Sequence, residues 1–506
     1  MSTAQRVIKN TGWLYAKMGV TMFISLYTTR LILNSLGAAD FGIYNVVGGA
    51  IAMLGFINAA MASTTQRFLN YNEGAGDLER QKRIFNVSIV LHVSIAIIIG
   101  IMLIVAGWIF FHGILNIPSE RLFAAKVVYG CMIVSTLFTV ISVPYDACLN
   151  AHENMRYYAV VGILESVLKL AVAFICVYTL RDKLIVYGIL MAVIPLITLS
   201  IMYVYCHRHY QECVLAPIKY YSRSIILDMS KFAGWSFLTT ITSMLTQYGL
   251  GIVLNSFYGV VLNAAHGIAN QVSGMLMAFS SNAQKAFNPI LVKSEGAGDR
   301  ERLKYVTFFG CRISFYIFGI FSLPMIFLAP EILKIWLKDV PMWAVAFTQL
   351  QLLRTLLEQI TLSMTMAILA EGNIKQYAIV RSVWYMLPLM IVPVLFHYNW
   401  SPLWMYFVWI FCWCIAGGWI TIRCCKKNLE FQPSEYLKKV LSPCFVVTLI
   451  SCCPYIINFC VSESTTTRLL ITLLSEALFV VLGFIYIVNK EERTKIISFV
   501  RGFKHV

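Results

Sequence analysis

The chain has 506 residues, 59% of them hydrophobic and only 13% charged, with a formal net charge of +16. A soluble chain of this length carries about a quarter charged residues, so a soluble globular protein is excluded. A β-barrel is excluded as well, because its strands leave short alternating segments and not long apolar runs.

Apolar runs of about 18 residues or more recur along the whole chain, which predicts an all-α polytopic membrane protein. The first run is not a cleaved signal: Lys17 and Arg30 interrupt it and no small-residue cleavage site follows. Helices are predicted near 12–35, 41–65, 84–111, 122–149, 157–180 and 184–206. A second set follows near 232–255, 260–284, 305–329, 342–369, 377–397 and 403–423, and two more near 440–461 and 468–488. Fourteen spans put both termini on one side. With the N-terminus inside, the inner segments hold about 27 Lys and Arg and the outer ones about 6, with about 7 more within spans. That asymmetry predicts N-in and C-in, and sets the basic charge against an anionic inner leaflet and not against nucleic acid. Two inner segments, Pro217 to Phe232 and Glu491 to Val506, mix Lys and Arg with apolar residues as surface-lying helices do.

Most of the fourteen cysteines fall inside apolar runs, where Cys acts as a small hydrophobe. The tightest polar cluster, CHRHYQEC at Cys206 to Cys213, lacks a recognised zinc spacing and reads as a basic loop beside a helix end. No metal is expected, and no cofactor beyond an H⁺ or Na⁺ used for coupling.

Short segments recur in order at nearly one offset. EGAGD stands at 73–77 and again at 295–299, 222 residues later. Gly12-Trp13 returns as Gly234-Trp235, Leu33-Asn34-Ser35 as Leu254-Asn255-Ser256, and ENMRYYA at 153–159 as GNIKQYA at 372–378, an offset of 219. Four ordered anchors predict an internal duplication. Six spans separate the copies, an even number, so the repeat is parallel. The expected organisation is an N-terminal lobe at 1–206, a cytoplasmic linker at 207–231, a C-terminal lobe at 232–423, two extra spans within 424–488, and a basic tail at 489–506. EGAGD itself reads as a turn, with glycine closing one helix and Asp77 or Asp299 capping the next.

Charge inside a span costs at least a few kcal/mol unless satisfied, which makes each such residue a functional candidate. The cations are Lys17, Arg30, Lys126, Lys169, Arg312, Arg354 and Arg381, and the clear anions Glu165 and Glu358. Lys17, Arg312 and Arg381 lie within about two helical turns of the cytoplasmic end, where a long side chain can also snorkel, and Arg30 and Lys126 lie near outer ends. Glu165/Lys169 and Arg354/Glu358 lie near mid-span at i, i+4 spacing, so each pair shares a helix face. Such a pair is either a local ion pair or a group facing a watery cavity. The resulting set, Lys17, Arg30, Lys169, Arg312, Arg354 and Arg381, predicts a cationic cavity suited to an anionic, phosphate-bearing solute. Glu165 and Glu358 are the ion-coupling candidates. No Walker A loop, G-x-S-x-G or H-E-x-x-H occurs, so no enzyme is indicated. Trp400, Trp404, Trp409, Trp413 and Trp419 read as an interface belt followed by helix packing.

The stretch TTRLILNSLGAADFGIYNVVGGAI, 28–51, resembles the pattern around the first two spans of polysaccharide transporters of the MOP exporter superfamily. VPYDACLNAHENMRYYA, 143–159, is similar to the same family's turn between spans 4 and 5. The nearest group is the Wzx-type O-antigen flippases, whose two six-span lobes plus two spans match the whole plan. The resemblance implies a flippase for undecaprenyl-pyrophosphate-linked oligosaccharide in the bacterial inner membrane. Its implied partners are the lipid-linked oligosaccharide and membrane lipids, with a polysaccharide polymerase and a chain-length regulator as further candidates. Two rivals share the fold. MurJ-type lipid II flippases carry basic residues around spans 1, 2 and 8, but span 8 here has no Lys or Arg before Lys285. MATE-type antiporters depend on acids in the N-terminal lobe and usually have twelve spans.

Overall fold

The computed structural model describes residues 3–52, 55–111, 117–337, 339–461, 465–490 and 492–494. Among the described residues the fold is all-α, with fourteen long helices. Among the described residues eleven helices are long and apolar enough to cross a membrane, counting the kinked α7 once. The chain is a multi-pass membrane protein.

Helices α1 (Thr3–Ala52), α2 (Gly55–Ala75), α3 (Leu78–Ile109), α4 (Leu122–Ala151), α5 (Met155–Tyr178) and α6 (Lys183–His209) build the first unit. Its compact body runs Asn10–Phe237 and so takes in the whole expected linker. The reason is local. Asn86 on α3 donates to the Val214 carbonyl and accepts from the Ala216 N–H, and Arg67 and Phe68 on α2 pack on Phe232. The expected boundary at 206 therefore moves to the start of the second unit at Leu238.

That unit holds most of α7 (Arg223–Gly296), then α8 (Arg300–Phe327), α9 (Ala329–Leu337), α10 (Ala344–Glu371) and α11 (Lys375–His397). Next, α12 (Trp404–Ile410) continues through a π-helical turn, Phe411–Ala416, into α13 (Gly417–Leu429). Then α14 (Pro433–Tyr436) leads through a second π turn to α15 (Ser442–Val461), and α16 (Thr465–Leu482) follows. The last two spans dock on α8, where Gly319 makes room for Phe479 and Gly483 for Tyr316, whose hydroxyl donates to the Val480 carbonyl at 2.7 Å. The expected surface helix at 491–506 lies almost wholly outside the described residues.

The duplication is written in backbone angles. α1 breaks at Gly37 (φ 78°, ψ 166°) and α7 at Gly259 (φ 80°, ψ −177°), 222 residues on. Each break kinks one long helix into two, and only glycine occupies this region at little cost. EGAGD repeats as finely: Gly76 and Gly298 sit at φ 71° and 72°. Asp77 accepts from the Arg80 N–H and Asp299 from the Arg302 N–H, which caps α3 and α8.

Exposure marks where lipid lies. Ile97, Ile101, Ile104 and Trp108 on α3 are all more than half exposed, which bilayer hydrocarbon tolerates and water does not. At one end of the first unit Arg121 pairs with both Asp40 and Asp182, and the Asp182 pair measures 2.6 Å. This joins the Gly37 break to the starts of α4 and α6. Partial burial pushes the Asp182 carboxyl up, but Arg121 and the Leu184 and Ile185 N–H groups outweigh it and hold its pKa below the ordinary value.

Two outcomes follow. Gly37→Ala and Gly259→Ala should each cost about 1–3 kcal/mol in chemical unfolding of the detergent-solubilised protein. Gly267→Ala, a helical site with open space around its Cβ, should be neutral or stabilising. Because the Asp182 pKa is depressed by folding, its contribution is present at neutral pH and lost as pH falls through the carboxylate range. Asp182→Asn keeps the cap but should flatten the decline in melting temperature below about pH 5.

Candidate functional site

Each unit contains a polar cavity among its described residues, and the two occupy matching places in the repeat. In the first unit a cavity of about 150 Å³ lies among α1, α4, α5 and α6, lined by Lys17, Asp146, Tyr158, Gly162, Glu165 and Thr198 among others. In the second a cavity of about 170 Å³ lies among α7, α10 and α11, lined chiefly by Thr239, Ser243, Thr365, Tyr377, Arg381 and Tyr385. At the offsets of the sequence repeat, Lys17 corresponds to Thr239, Asp146 to Thr365, Tyr158 to Tyr377 and Gly162 to Arg381.

The cation has changed helices between the copies. Lys17 reaches from α1 to lie 4.1 Å above the Tyr158 ring. A Cβ on Gly162 would collide with Cε and Nζ of Lys17, so the glycine is what makes room for the ammonium. In the second unit the glycine position holds Arg381, and a small Thr239 stands where the lysine was. Arg381 donates to Thr365 Oγ1 at 2.9 Å, to the Tyr377 hydroxyl, and to the Tyr385 hydroxyl at 2.5 Å.

Electrostatics then separate the cavities. The first is balanced: Lys17 faces Asp146 and Glu165, and Glu165 pairs with Lys169 at 2.6 Å. In the second, Arg381 is the only ionisable Lys, Arg, Asp or Glu in the lining, and among the described residues its hydrogen bonds all go to neutral hydroxyls.

The α10 pair lies next to this cavity. Arg354 is buried, pairs with Glu358 at 3.0 Å, and stacks under Trp409 at 4.4 Å and Trp413 at 5.3 Å. Trp413 in turn stacks on Tyr385 at 4.1 Å with the rings 9° from parallel. A packed row thus runs Glu358–Arg354–Trp413–Tyr385–Arg381.

The remaining candidates are placed elsewhere. Arg312 on α8 is 3% exposed and pairs with the equally buried Glu492 at 2.6 Å, which fastens the segment after α16 to α8. Arg30 is exposed on α1 and lines neither cavity. Sequence reasoning missed the tyrosines, Asp146 and Gly162. The repeat held a usable signal, since the 219 offset aligns Tyr158 with Tyr377. It also read Trp409 and Trp413 as packing alone, although their i, i+4 spacing makes a single aromatic face for Arg354.

A family model described as "Polysaccharide biosynthesis protein" matches residues 7–294, more than half of the chain. The chain belongs to the polysaccharide biosynthesis protein family. No curated protein matches it in sequence. Solved structures agree on the fold of this polysaccharide biosynthesis protein. A MATE transporter in complex with MaL6 is similar with a TM-score of 0.70 at 14% identity, over 85% of this chain and 98% of that one. A MOP superfamily transporter from Pyrococcus furiosus, described as having a binding pocket of reverse polarity, matches with 0.69 at 16%, over 85% and 98%. An outward-facing multidrug resistance MATE family transporter of the MOP superfamily matches with 0.68 at 15%, over 85% and 97%. These likenesses establish a MATE-like fold.

The exchange of cations is testable by a double-mutant cycle on unfolding. Gly162→Arg alone should be destabilising because it crowds Lys17. Adding Lys17→Thr, which rebuilds the second unit's arrangement in the first, should recover about 1 kcal/mol or more, the coupling expected of residues in contact. A double variant no better than Gly162→Arg would mean the two positions do not share one space.

Proposed function

We propose that the protein is a flippase that carries undecaprenyl-pyrophosphate-linked oligosaccharide, an O-antigen, capsule or exopolysaccharide unit, across the bacterial inner membrane by alternating access. It works as a transporter and not as an enzyme, with both termini in the cytoplasm. The carrying observation is Arg381, a guanidinium without a bonded carboxylate in a cavity lined with hydroxyls. A guanidinium supplies planar, charge-assisted donors to phosphate oxygens. Threonine, serine and tyrosine hydroxyls supply both donors and acceptors to sugar hydroxyls. Family membership supports the same reading. Lys17 and Lys169 are the first unit's contribution to the anion, Arg354 supports Arg381 through the aromatic row, and Glu165 or Glu358 binds the coupling H⁺ or Na⁺. A polymerase and a chain-length regulator are the proposed downstream partners.

A second reading, a cation antiporter, draws on Asp146 and Glu165 in the first cavity. One comparison separates the two. Arg381→Ala should cut surface polysaccharide at least tenfold with unchanged membrane level, and Arg381→Lys should retain part of it, since charge survives but the planar contacts do not. Asp146→Asn should leave more polysaccharide than Arg381→Ala does. Full surface polysaccharide in Arg381→Ala, measured against a null strain, would rule out the anion-binding reading.

A further inference from the structure

The end of the first unit away from Arg121 gathers sulfur. Cys148 lies near the end of α4, Cys206 near the end of α6, and Cys213 in the segment that follows, all buried. The Cys213 and Cys148 sulfurs are 3.5 Å apart, and the Cys206 thiol points to the Tyr145 carbonyl at 3.9 Å. Glu212 brings a carboxylate that is itself only 3% exposed. One of its oxygens and the Cys148 and Cys213 sulfurs all lie within 4.8 Å of one another.

A buried carboxylate beside thiols needs a compensating cation. The imidazole in reach, His152, is shared. Its Nε2 lies 2.5 Å from Glu212 Oε1 and its Nδ1 3.3 Å from Glu73 Oε1, and its ring stacks on Tyr210 at 3.9 Å.

We propose that Cys148, Cys213 and Glu212 bind a zinc ion as its three protein ligands. Zinc takes thiolate sulfur at about 2.3 Å and carboxylate oxygen at about 2.0–2.2 Å in a tetrahedron, which places two sulfurs about 3.8 Å apart. The observed 3.5 Å needs a shift of a few tenths of an ångström. On binding, each ligating thiol releases its proton to solvent. His152, held by Glu73 and Tyr210, orients Glu212 in the way that imidazole and carboxylate groups orient one another behind many metals. The ion would fasten the end of α4 to the segment that Asn86 ties to α3. Sequence spacing hid the site, because Cys148 stands 65 residues before Cys213.

The test is metal content and spectroscopy on the full chain purified in detergent without chelators. One zinc per chain is expected. It should be lost in Cys148→Ser and in Cys213→Ser and kept in Cys453→Ser, whose thiol is exposed on α15. Cobalt(II) added to the zinc-depleted protein should give a sulfur-to-cobalt charge-transfer band, and His152→Ala should weaken cobalt binding about 10–100-fold. The wild-type cobalt titration needs no variant, so a variant that misfolds does not decide the matter. Absence of both zinc and the cobalt band, zinc retained by both serine variants, or a Cys148–Cys213 disulfide found by mass spectrometry would each overturn the proposal.

Discussion

A charge held among apolar helices has no water to solvate it, so the protein itself must supply every partner. Most of the structure around the ionisable groups follows from that constraint. Arg121 is given two aspartates, Arg312 is given Glu492, and Arg354 is given Glu358 and the faces of two tryptophans. Arg381 is given three hydroxyls and no bonded carboxylate. Its first needs are met and its charge is not cancelled. On the proposed function, that remaining positive potential beside a cavity marks Arg381 as the group that meets the ligand, against groups paired for stability.

The two copies show which constraints a duplicated lobe must keep. The backbone demands are repeated, with φ of 78° and 80° at Gly37 and Gly259 and of 71° and 72° at Gly76 and Gly298. A helix that must kink, or a turn that must close in a few residues, has few solutions, and glycine supplies them. Side-chain charge is freer. A cation can reach one space from either of two facing helices, provided the opposite position is small. Lys17 over Gly162 and Arg381 opposite Thr239 are the two solutions. Their consequences differ: the α1 solution leaves Asp146 and Glu165 in the wall, and the α11 solution puts hydroxyls there.

How much of this was legible in the sequence depended on separation along the chain. The long helices, the repeated glycine breaks, the capping by Asp77 and Asp299, and the two i, i+4 pairs are local or periodic, and all could be read. The partner of Arg312 is 180 residues away, and Arg121 lies 81 from Asp40 and 61 from Asp182. No spacing rule reaches that far. The unit boundary slipped past the expected linker for the same reason, since Asn86 holds Val214 across 128 residues. The candidate list mixed three kinds of cation because depth along a helix is readable and facing is not. Lys17 and Arg381 line cavities, Arg354 supports one from behind, and Arg312 is a fastener.

A flippase also has to let go. Charge-assisted hydrogen bonds contribute about 1.5–3 kcal/mol each, and every 1.4 kcal/mol is a tenfold change in affinity. Three or four fully committed cations around a pyrophosphate would therefore hold it too long for turnover. One guanidinium already bonded to hydroxyls binds more weakly, because part of its donor capacity is spent inside the protein. Ringing it with hydroxyls lets the contact extend to a sugar without deepening the electrostatic well. On the proposed function the prenyl chain stays in lipid throughout, so the protein need not supply the whole binding energy. It has only to make passage of the polar head less costly than crossing bare hydrocarbon, and one guanidinium bonded to hydroxyls in a hydroxyl-lined cavity is suited to that smaller demand.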